Sequence, residues 1–118
     1  MKSLRTHGCE YIVKATGNPD YKTNAGSDTW DKVFLLSVEE VGKYFSSTKD
    51  MECEPTAYAK KQGAYTSLGN CWWWLRTPGD KPNCIAFVRA YGGIESWGCY
   101  ATDYITAVRP AMWIDWNI

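Results

Sequence analysis

Three consecutive tryptophans, Trp72, Trp73 and Trp74, constrain the fold of this chain more than any other feature of its sequence. The run continues through Leu75 and Arg76 and stops at a Thr-Pro-Gly-Asp turn sequence, which is typical of a β-strand. Successive side chains of a strand point to opposite faces, so Trp73 must face away from its two neighbours. We therefore expect at least one ring in the core and at least one on the opposite face, where it can stack on a sugar or a peptide.

Aromatic side chains must build most of the core. Leu, Ile, Val and Phe account for only 20 of the 118 residues, a share that would indicate disorder in a strongly charged chain. The net charge is zero, and seven Trp with eight Tyr supply the missing apolar area at roughly 150–250 Å² per buried ring. The length suits one folded domain over residues 1–118.

Charge and cysteine usage argue against several functions. Thirteen Lys and Arg against thirteen Asp and Glu provide no electrostatic basis for binding nucleic acid or an anionic membrane. No segment approaches the roughly 18 apolar residues of a membrane span, and residues 1–11 lack the apolar stretch of a signal peptide. The five cysteines contain no Cys-x-x-Cys pair, which favours free thiols in a reducing compartment over zinc ligands. We expect no metal and no cofactor, and the location stays open between the cytoplasm and a surface or virion reached by another route.

Two short helices are predicted in the first half of the chain. Ser37 and Glu40 fit a capping box, in which each side chain satisfies a free backbone amide, and the helix should run to Phe45. A second helix is predicted over residues 55–62, with Gly63 in the position after its end.

The other elements are predicted to be strands joined by turns and loops. Residues 14–31 are rich in Gly, Asn, Asp, Pro and Thr and should form a loop. Gly92 and Gly93 lie between two β-prone runs, which predicts a hairpin, and Pro110 interrupts the last strand pair. The predicted strands cover residues 33–36, 72–76, 84–90, 94–97, 107–109 and 112–114. The expected fold class is α+β, with a small, mostly antiparallel sheet, two short helices and long loops.

Alternation along the predicted hairpin separates two faces of its first strand. One face is small and apolar and is expected in the core; it carries Cys84, Ala86, Val88 and Ala90. The other face is larger, aromatic and cationic; it carries Ile85, Phe87, Arg89 and Tyr91. The second composition fits a recognition surface and a second packing face equally well.

The residue types needed for catalysis are scarce. His7 is the only histidine and lies near the N-terminus, so Ser–His and Cys–His nucleophile pairs are not expected. No glycine-rich phosphate loop is present. Arg76 and Arg109 lie among aromatic residues, where a guanidinium either clamps an anion or bonds loop carbonyls and stacks on tryptophan; the second interpretation is favoured. The sequence predicts a protein that is not an enzyme.

Four sequence blocks resemble an uncharacterised bacterial domain family whose function is not established. They lie in the family's order over about residues 20–116 and read DKVFLLSVEE (31–40), PTAYA (55–59), WWWLRTPG (72–79) and VRPA (108–111). The resemblance implies a C-type-lectin-like fold, related in plan to formylglycine-generating enzymes and to lectin folds diversified by retroelements. Members usually carry an upstream helical segment, and in this chain only Ser3-Leu4-Arg5 resembles it. If this first helix is missing, part of the sheet would be uncovered and two copies of the chain could dimerise through it.

The chain departs from this family pattern over residues 83–106, where members tend to carry Asn, Ser, Asp and Gly. In lectin folds diversified by retroelements, adenine-specific changes of Asn codons reach Phe, Arg, Tyr and Cys but not Trp or Glu, and most of the stretch fits, apart from Glu95 and Trp97. Ordinary drift in a tolerant loop would give a similar composition. The resemblance favours a non-catalytic recognition domain, the variable protein of a diversity-generating retroelement, with a protein or glycan ligand on a cell or phage surface. The predicted ligand contacts are Phe87, Arg89, Tyr91, Trp97, Tyr100 and Tyr104.

Two alternatives stay open. An enzyme of the formylglycine-generating type would need a pair of reactive cysteines, for which Cys71, Cys84 and Cys99 are the candidates. A structural module would pair its uncovered edge with a second copy of the chain. Calcium-dependent sugar binding is not expected, because Lys81 precedes the Pro82-Asn83 pair where a hard cation needs an acidic ligand.

Overall fold

The computed structural model describes residues 3–6 and 11–117, so His7 and Cys9 lie outside the described residues. The described strands are β1 (Ser3–Thr6), β2 (Tyr11–Val13), β3 (Thr29–Asp31), β4 (Val33–Phe34), β5 (Thr66–Ser67), β6 (Asn70–Cys71), β7 (Trp73–Pro78), β8 (Cys84–Val88), β9 (Ile94–Tyr100), β10 (Ala111–Met112) and β11 (Ile114–Asn117). The helices are α1 (Val38–Tyr44) and α2 (Ala57–Lys61), and a 3₁₀ turn covers Lys49–Met51. Neither α-helix of this described part is long and apolar enough to cross a membrane.

The strands pair in small antiparallel sheets. The largest sheet has three strands in the order β7-β8-β9. The remaining strands form the two-stranded pairs β1–β11, β2–β3, β4–β10 and β5–β6. With its two short helices, the chain has the α+β architecture that the sequence predicts.

Both helices begin at a hydroxyl cap. The Ser37 hydroxyl accepts a hydrogen bond from the Glu40 amide at 3.1 Å, and the Glu40 carboxylate accepts one from the Ser37 amide at 3.0 Å. The predicted capping box is therefore present. The second helix starts later than predicted, because Thr56 is its cap and accepts from the Ala59 amide at 3.1 Å, which leaves Pro55 outside the helix.

The tryptophan run divides between two faces of the sheet, as strand alternation predicts. Trp73 is fully buried and its indole N–H donates to the Met51 carbonyl at 2.9 Å, whereas Trp72 and Trp74 are half-buried on the opposite face. The hydrophobic core behind Trp73 consists of Val41, Met51, Trp73, Leu75, Ala86 and Val88. The small face of β8 thus packs in the core, as expected.

Two arginines connect irregular segments to this core. Arg76 donates to the Leu35 carbonyl at 2.6 Å and forms an ion pair with Glu40 at 2.6 Å. The Arg109 guanidinium lies 4.8 Å from the centroid of the Trp73 ring. These contacts confirm the interpretation that the two guanidinium groups bond carbonyls and stack on aromatic rings.

The end of the chain pairs differently from the prediction. The expected pairing of 107–109 with 112–114 is wrong, because β10 pairs with β4 and β11 pairs with β1. Ala107 instead satisfies the free edge of β7: its amide donates to the Trp72 carbonyl at 2.8 Å and its carbonyl accepts from the Trp74 amide at 3.0 Å. The segment around Ala107 therefore pairs with the backbone groups at the free edge of β7 and not with the strand that follows it.

Candidate ligand-binding cleft

A cleft of about 520 Å³ lies at the end of the β8–β9 hairpin that is remote from its turn. Three aromatic side chains form its wall, with Trp97 exposed by 45%, Tyr100 by 56% and Tyr104 by 82%. No ring-to-ring contact among the described residues involves these three side chains. We call this site the aromatic cleft; it is lined by Asp80, Lys81, Cys84, Trp97, Gly98, Cys99, Tyr100, Thr102, Asp103 and Tyr104.

A bulge in β9 presents Trp97 to the cleft. The pairing of β9 against β8 shifts here, so that three β9 residues lie opposite one β8 residue. Gly98 has a φ of +80°, and a Cβ at this position would lie 2.5 Å from the Ile85 carbonyl oxygen. Only glycine fits this left-handed, closely packed position, so Gly98 is what lets the bulge form.

The turn between β7 and β8 packs against the bulge and holds its backbone in place. The Asp80 amide donates to the Trp97 carbonyl at 3.0 Å, and the Gly79 amide donates to the Cys84 carbonyl at 2.6 Å. A Cβ on Gly79 would lie 2.3 Å from the Trp97 carbonyl oxygen, so the turn and the bulge are in close contact. The backbone at Trp97 is therefore held independently of its side chain.

A buried asparagine from the long N-terminal loop ties the same two segments together. The Asn18 side-chain amide donates to the carbonyls of Pro78 at 2.8 Å and Ser96 at 2.6 Å. Its side-chain oxygen accepts from the amides of Asp20 at 2.8 Å and Tyr21 at 2.9 Å. The Asn18 side chain therefore uses its amide group to hold the loop against β7 and β9 and its oxygen to fix the turn of the loop itself.

The rim of the cleft carries charges of both signs. The Asp103 carboxylate accepts from the Ile105 amide at 2.9 Å, which fixes the turn after β9. The Asp80 carboxylate and the Lys81 ammonium form no hydrogen bond or ion pair with any part of the chain that the structure describes. Both groups are therefore available to hydrogen-bond a ligand that stacks on the aromatic wall.

Two thiols, Cys84 and Cys99, line the base of the cleft. Burial raises the pKa of the Cys99 thiol, the Asp103 carboxylate raises it further, and the Arg89 charge opposes the change. A reactive thiol needs a lowered pKa. This surrounding keeps Cys99 protonated and weakly nucleophilic.

Of the six predicted contacts, Trp97, Tyr100 and Tyr104 line the aromatic cleft, and Phe87 requires a correction. Phe87 is 0% exposed, with its ring 4.9 Å from the ring of Trp72 and 6.4 Å from that of Trp74. Because β8 is the middle strand of its sheet, Trp74 of β7 and the preceding Trp72 cover the face that the sequence left ambiguous. Phe87 is a packing residue and does not reach the surface.

The structure does not bring the last two predicted contacts to the cleft. The Arg89 guanidinium donates to Glu95 at 2.6 Å and lies 5.2 Å from the centroid of the Trp72 ring. Tyr91 is exposed but lies in the hairpin turn, at the opposite end of β8 and β9 from the cleft.

The turn that precedes β8 holds the Lys81-Pro82-Asn83 sequence, and both Lys81 and Asn83 are exposed. Within the described residues, no three His, Cys, Asp or Glu side chains are grouped so that they could hold a metal ion.

Sequence reasoning missed the polar part of the cleft. Asp80, Lys81, Thr102 and Asp103 were not singled out as site residues, because they come from two turns that are far apart in the chain. One local signal was available: an isolated glycine inside a strand run, here Gly98, indicates a bulge and a close backbone approach.

Comparison with known proteins identifies a family and gives no function. No curated protein and no solved structure shows a significant match to this chain. The family model of DUF6273, a domain of unknown function, matches residues 8–116, which include both helices, the three-stranded sheet and the aromatic cleft. The chain therefore belongs to the DUF6273 domain family.

Proposed function

We propose that this domain is a non-catalytic recognition module that binds its ligand in the aromatic cleft. The observation that carries the proposal is that Trp97, Tyr100 and Tyr104 are exposed around one cavity and stack on no other ring in the described chain. Exposed Trp and Tyr provide a large contact area at low entropic cost. A cavity of about 520 Å³ suits a small ligand or one protruding group of a larger partner. The ligand we propose is a protein or glycan on a cell or phage surface.

We also propose a C-type-lectin-like plan in which the cleft is the variable face of a retroelement-diversified protein. The four motif blocks support this plan, as do the small antiparallel sheets with two short helices. Tyr100 and Tyr104 are reachable from Asn codons by adenine-specific changes, whereas Trp97 is not. In this proposal Trp97 is a fixed aromatic anchor beside two variable positions.

The raised pKa values of two thiols favour a binding function over an enzymatic one. An enzyme of the formylglycine-generating type needs reactive cysteines, and Cys84 and Cys99 do line the same cleft. Burial, however, raises the pKa of both Cys99 and Cys71, and Cys71 lies elsewhere, against Cys53. Thiols with raised pKa values are poor nucleophiles at neutral pH.

Arrays of glycans and of bacterial and phage surface proteins provide the first test. For a ligand found there, Trp97→Ala, Tyr100→Ala and Tyr104→Ala should each weaken binding by about tenfold or more, the size expected when a stacked ring is lost. Tyr58→Ala is the matched control, because Tyr58 is 72% exposed on α2 and lies outside the cleft. Circular dichroism should report the same fold for all four variants.

Equal affinities of the control and the cleft variants would overturn the cleft as the binding site. Recovery of the ligand chemically unchanged after incubation with the chain, together with unchanged binding when Cys71, Cys84 and Cys99 are all replaced by Ser, would remove the enzyme alternative. If the ligand is a second copy of the chain, light scattering should show a dimer that Tyr104→Ala dissociates. Sequencing the codons for residues 80–110 across the source population tests diversification separately: uniform codons at 100 and 104 would end that part of the proposal only.

A further inference from the structure

Residues 54–70 leave the core and return to it without burying any residue of their own. No residue of this segment, which we call the 54–70 excursion, is fully buried, and helix α2 within it buries no side chain. Its main link to the rest of the chain is a hydrogen bond from the Tyr65 amide to the Ile105 carbonyl at 2.9 Å, with the Tyr65 ring 5.0 Å from that of Trp72. Segments held by so few contacts open readily by local unfolding.

The excursion begins and ends at two cysteines that are in contact. The Cys71 amide donates to the Cys53 carbonyl at 2.8 Å, and the Cys71 thiol donates to the same oxygen at 3.3 Å. A carbonyl oxygen lies about 2.4 Å from its own Cα and an amide nitrogen about 1.5 Å from its own, so this bond keeps the two Cα atoms within roughly 6.7 Å of each other. That separation lies within the range of about 4.4–6.8 Å that a disulfide requires. The two thiols also interact directly, because the Cys53 thiol contributes to the raised pKa of Cys71.

The two thiols differ in accessibility, which sets an order of reaction. Cys53 is half-buried and reachable from solvent, whereas Cys71 is buried. Burial raises the pKa of Cys71 to about 11; the Cys53 thiol adds to this rise and the charge of Arg109 opposes it. Arg109 also has a buried guanidinium nitrogen, Nη1, with no hydrogen-bond partner among the described residues. Cys53 is therefore the thiol that a small oxidant meets first, and Arg109 is the charge that favours the Cys71 thiolate.

We propose that Cys53 and Cys71 are a redox modification site that forms a disulfide by exchange with a small-molecule disulfide such as oxidised glutathione. The Cys53 thiolate attacks one sulfur of the small disulfide, whose S–S bond breaks and releases one thiol. Cys71 then attacks the Cys53 sulfur as its thiolate and expels the second small thiol; this thiolate is scarce at pH 8, but it is held beside the mixed disulfide, so the step is intramolecular. Two protein thiols are oxidised, one small disulfide is reduced to two thiols, and the protons of Cys53 and Cys71 pass to the two leaving groups.

The bond would close the excursion covalently at its base. A disulfide between Cys53 and Cys71 lowers the conformational entropy of the unfolded chain, because it closes a loop over the residues between them. We expect it to raise the melting temperature by on the order of 10 °C. Proteolysis within 54–70 should slow as well, because the bond restricts the local opening that exposes the segment to a protease. This proposal is independent of ligand binding, since neither cysteine lines the aromatic cleft.

Peptide mapping by mass spectrometry after exchange with oxidised glutathione at pH 8 tests the proposal on the full chain. We expect the Cys53–Cys71 linked peptide to dominate in the unmodified protein and equally in a Cys84→Ser, Cys99→Ser double variant, which is the matched control for a neighbouring cysteine pair. Cys71→Ser should instead accumulate the glutathione adduct on Cys53, because the second thiol is missing. Melting curves of the oxidised and reduced protein give the predicted rise in temperature.

A map dominated by another pairing, or by a glutathione adduct on Cys53 of the unmodified protein, would overturn the proposal. The unmodified chain alone decides this point, so the result does not depend on the folding of any variant. A linked peptide without a rise in melting temperature would reject the bond as a restraint on the excursion.

Discussion

Strands β8 and β9 are neighbours in one sheet, yet their side chains have opposite roles. In β8 the side chains on both faces are covered, and Ala86, Phe87 and Val88 are all fully buried. In β9, an edge strand, Gly98 is the one fully buried residue, and the strand exposes Trp97 and Tyr100. Position within the sheet, rather than residue type, therefore decides which aromatic side chains pack and which remain available to a ligand.

The largest expected effect is on the free energy of unfolding when Phe87 is truncated. Phe87→Ala removes a ring packed between Trp72 and Trp74 and should cost about 3–5 kcal/mol. Trp97→Ala removes a larger but exposed ring from the adjacent strand and should cost about 1 kcal/mol or less. Urea unfolding of both variants measures the difference, and equal losses would contradict the contrast between the strands.

The bulge in β9 should be the next most sensitive feature. Gly98→Ala places a Cβ 2.5 Å from the Ile85 carbonyl oxygen at a left-handed φ, so we expect a loss of about 2–3 kcal/mol. Gly42 is the matched control, because it lies in α1 with open space around its Cα. Gly42→Ala should raise the free energy of unfolding by roughly 0.5–1 kcal/mol. Thermal unfolding of both variants would show a lower melting temperature for Gly98→Ala and a higher one for Gly42→Ala.

Alkaline pH should lower the free energy of unfolding through the buried Cys71 thiol. Burial raises the pKa of Cys71 to about 11, so the folded state keeps its proton where the unfolded chain has already lost it. The stabilising contribution is complete below about pH 9 and is lost as the pH rises towards 11, at a cost of about 1–2 kcal/mol. Unfolding in urea at pH 8 and pH 10.5, with a reducing agent present, measures it. A Cys71→Ala variant with the same loss would assign the effect to another group.

The smallest expected effect is at the most exposed ring of the cleft. Tyr104→Ala should change the unfolding free energy by less than about 0.5 kcal/mol, because Tyr104 packs against little of the described chain. Thermal unfolding followed by circular dichroism checks this. A loss above 1 kcal/mol would assign Tyr104 to the fold and remove it from the proposed contact set.

Local rules predicted the parts of this fold that depend on nearby residues. The capping box of Ser37 and Glu40 follows from sequence spacing, and the placement of Trp73 on the face opposite Trp72 and Trp74 follows from alternation along one strand. Non-local pairing decided the rest. Alternation placed Phe87 on the second face of β8, but only the register that sets Trp74 opposite Phe87 shows that this face is covered.

The same limit applied to the site. Trp97, Tyr100 and Tyr104 were predicted as contacts because residues 83–106 depart from the family pattern, whereas Asp80 joins them only because the β7–β8 turn packs against the β9 bulge. The pairing of β10 with β4 could not be predicted from nearby residues either, because Ala107, shortly before β10, lies on the free edge of β7.

The backbone bond from the Asp80 amide to the Trp97 carbonyl bears on how this domain can evolve. Neither group of that bond belongs to a side chain, and Gly98 and Gly79 form the close contacts around it. Position 97 can therefore exchange one side chain for another while its place in space is preserved. The backbone geometry of the cleft and the side chains on its wall are therefore set by separate positions, so substitutions on the wall carry little risk of losing a folded protein.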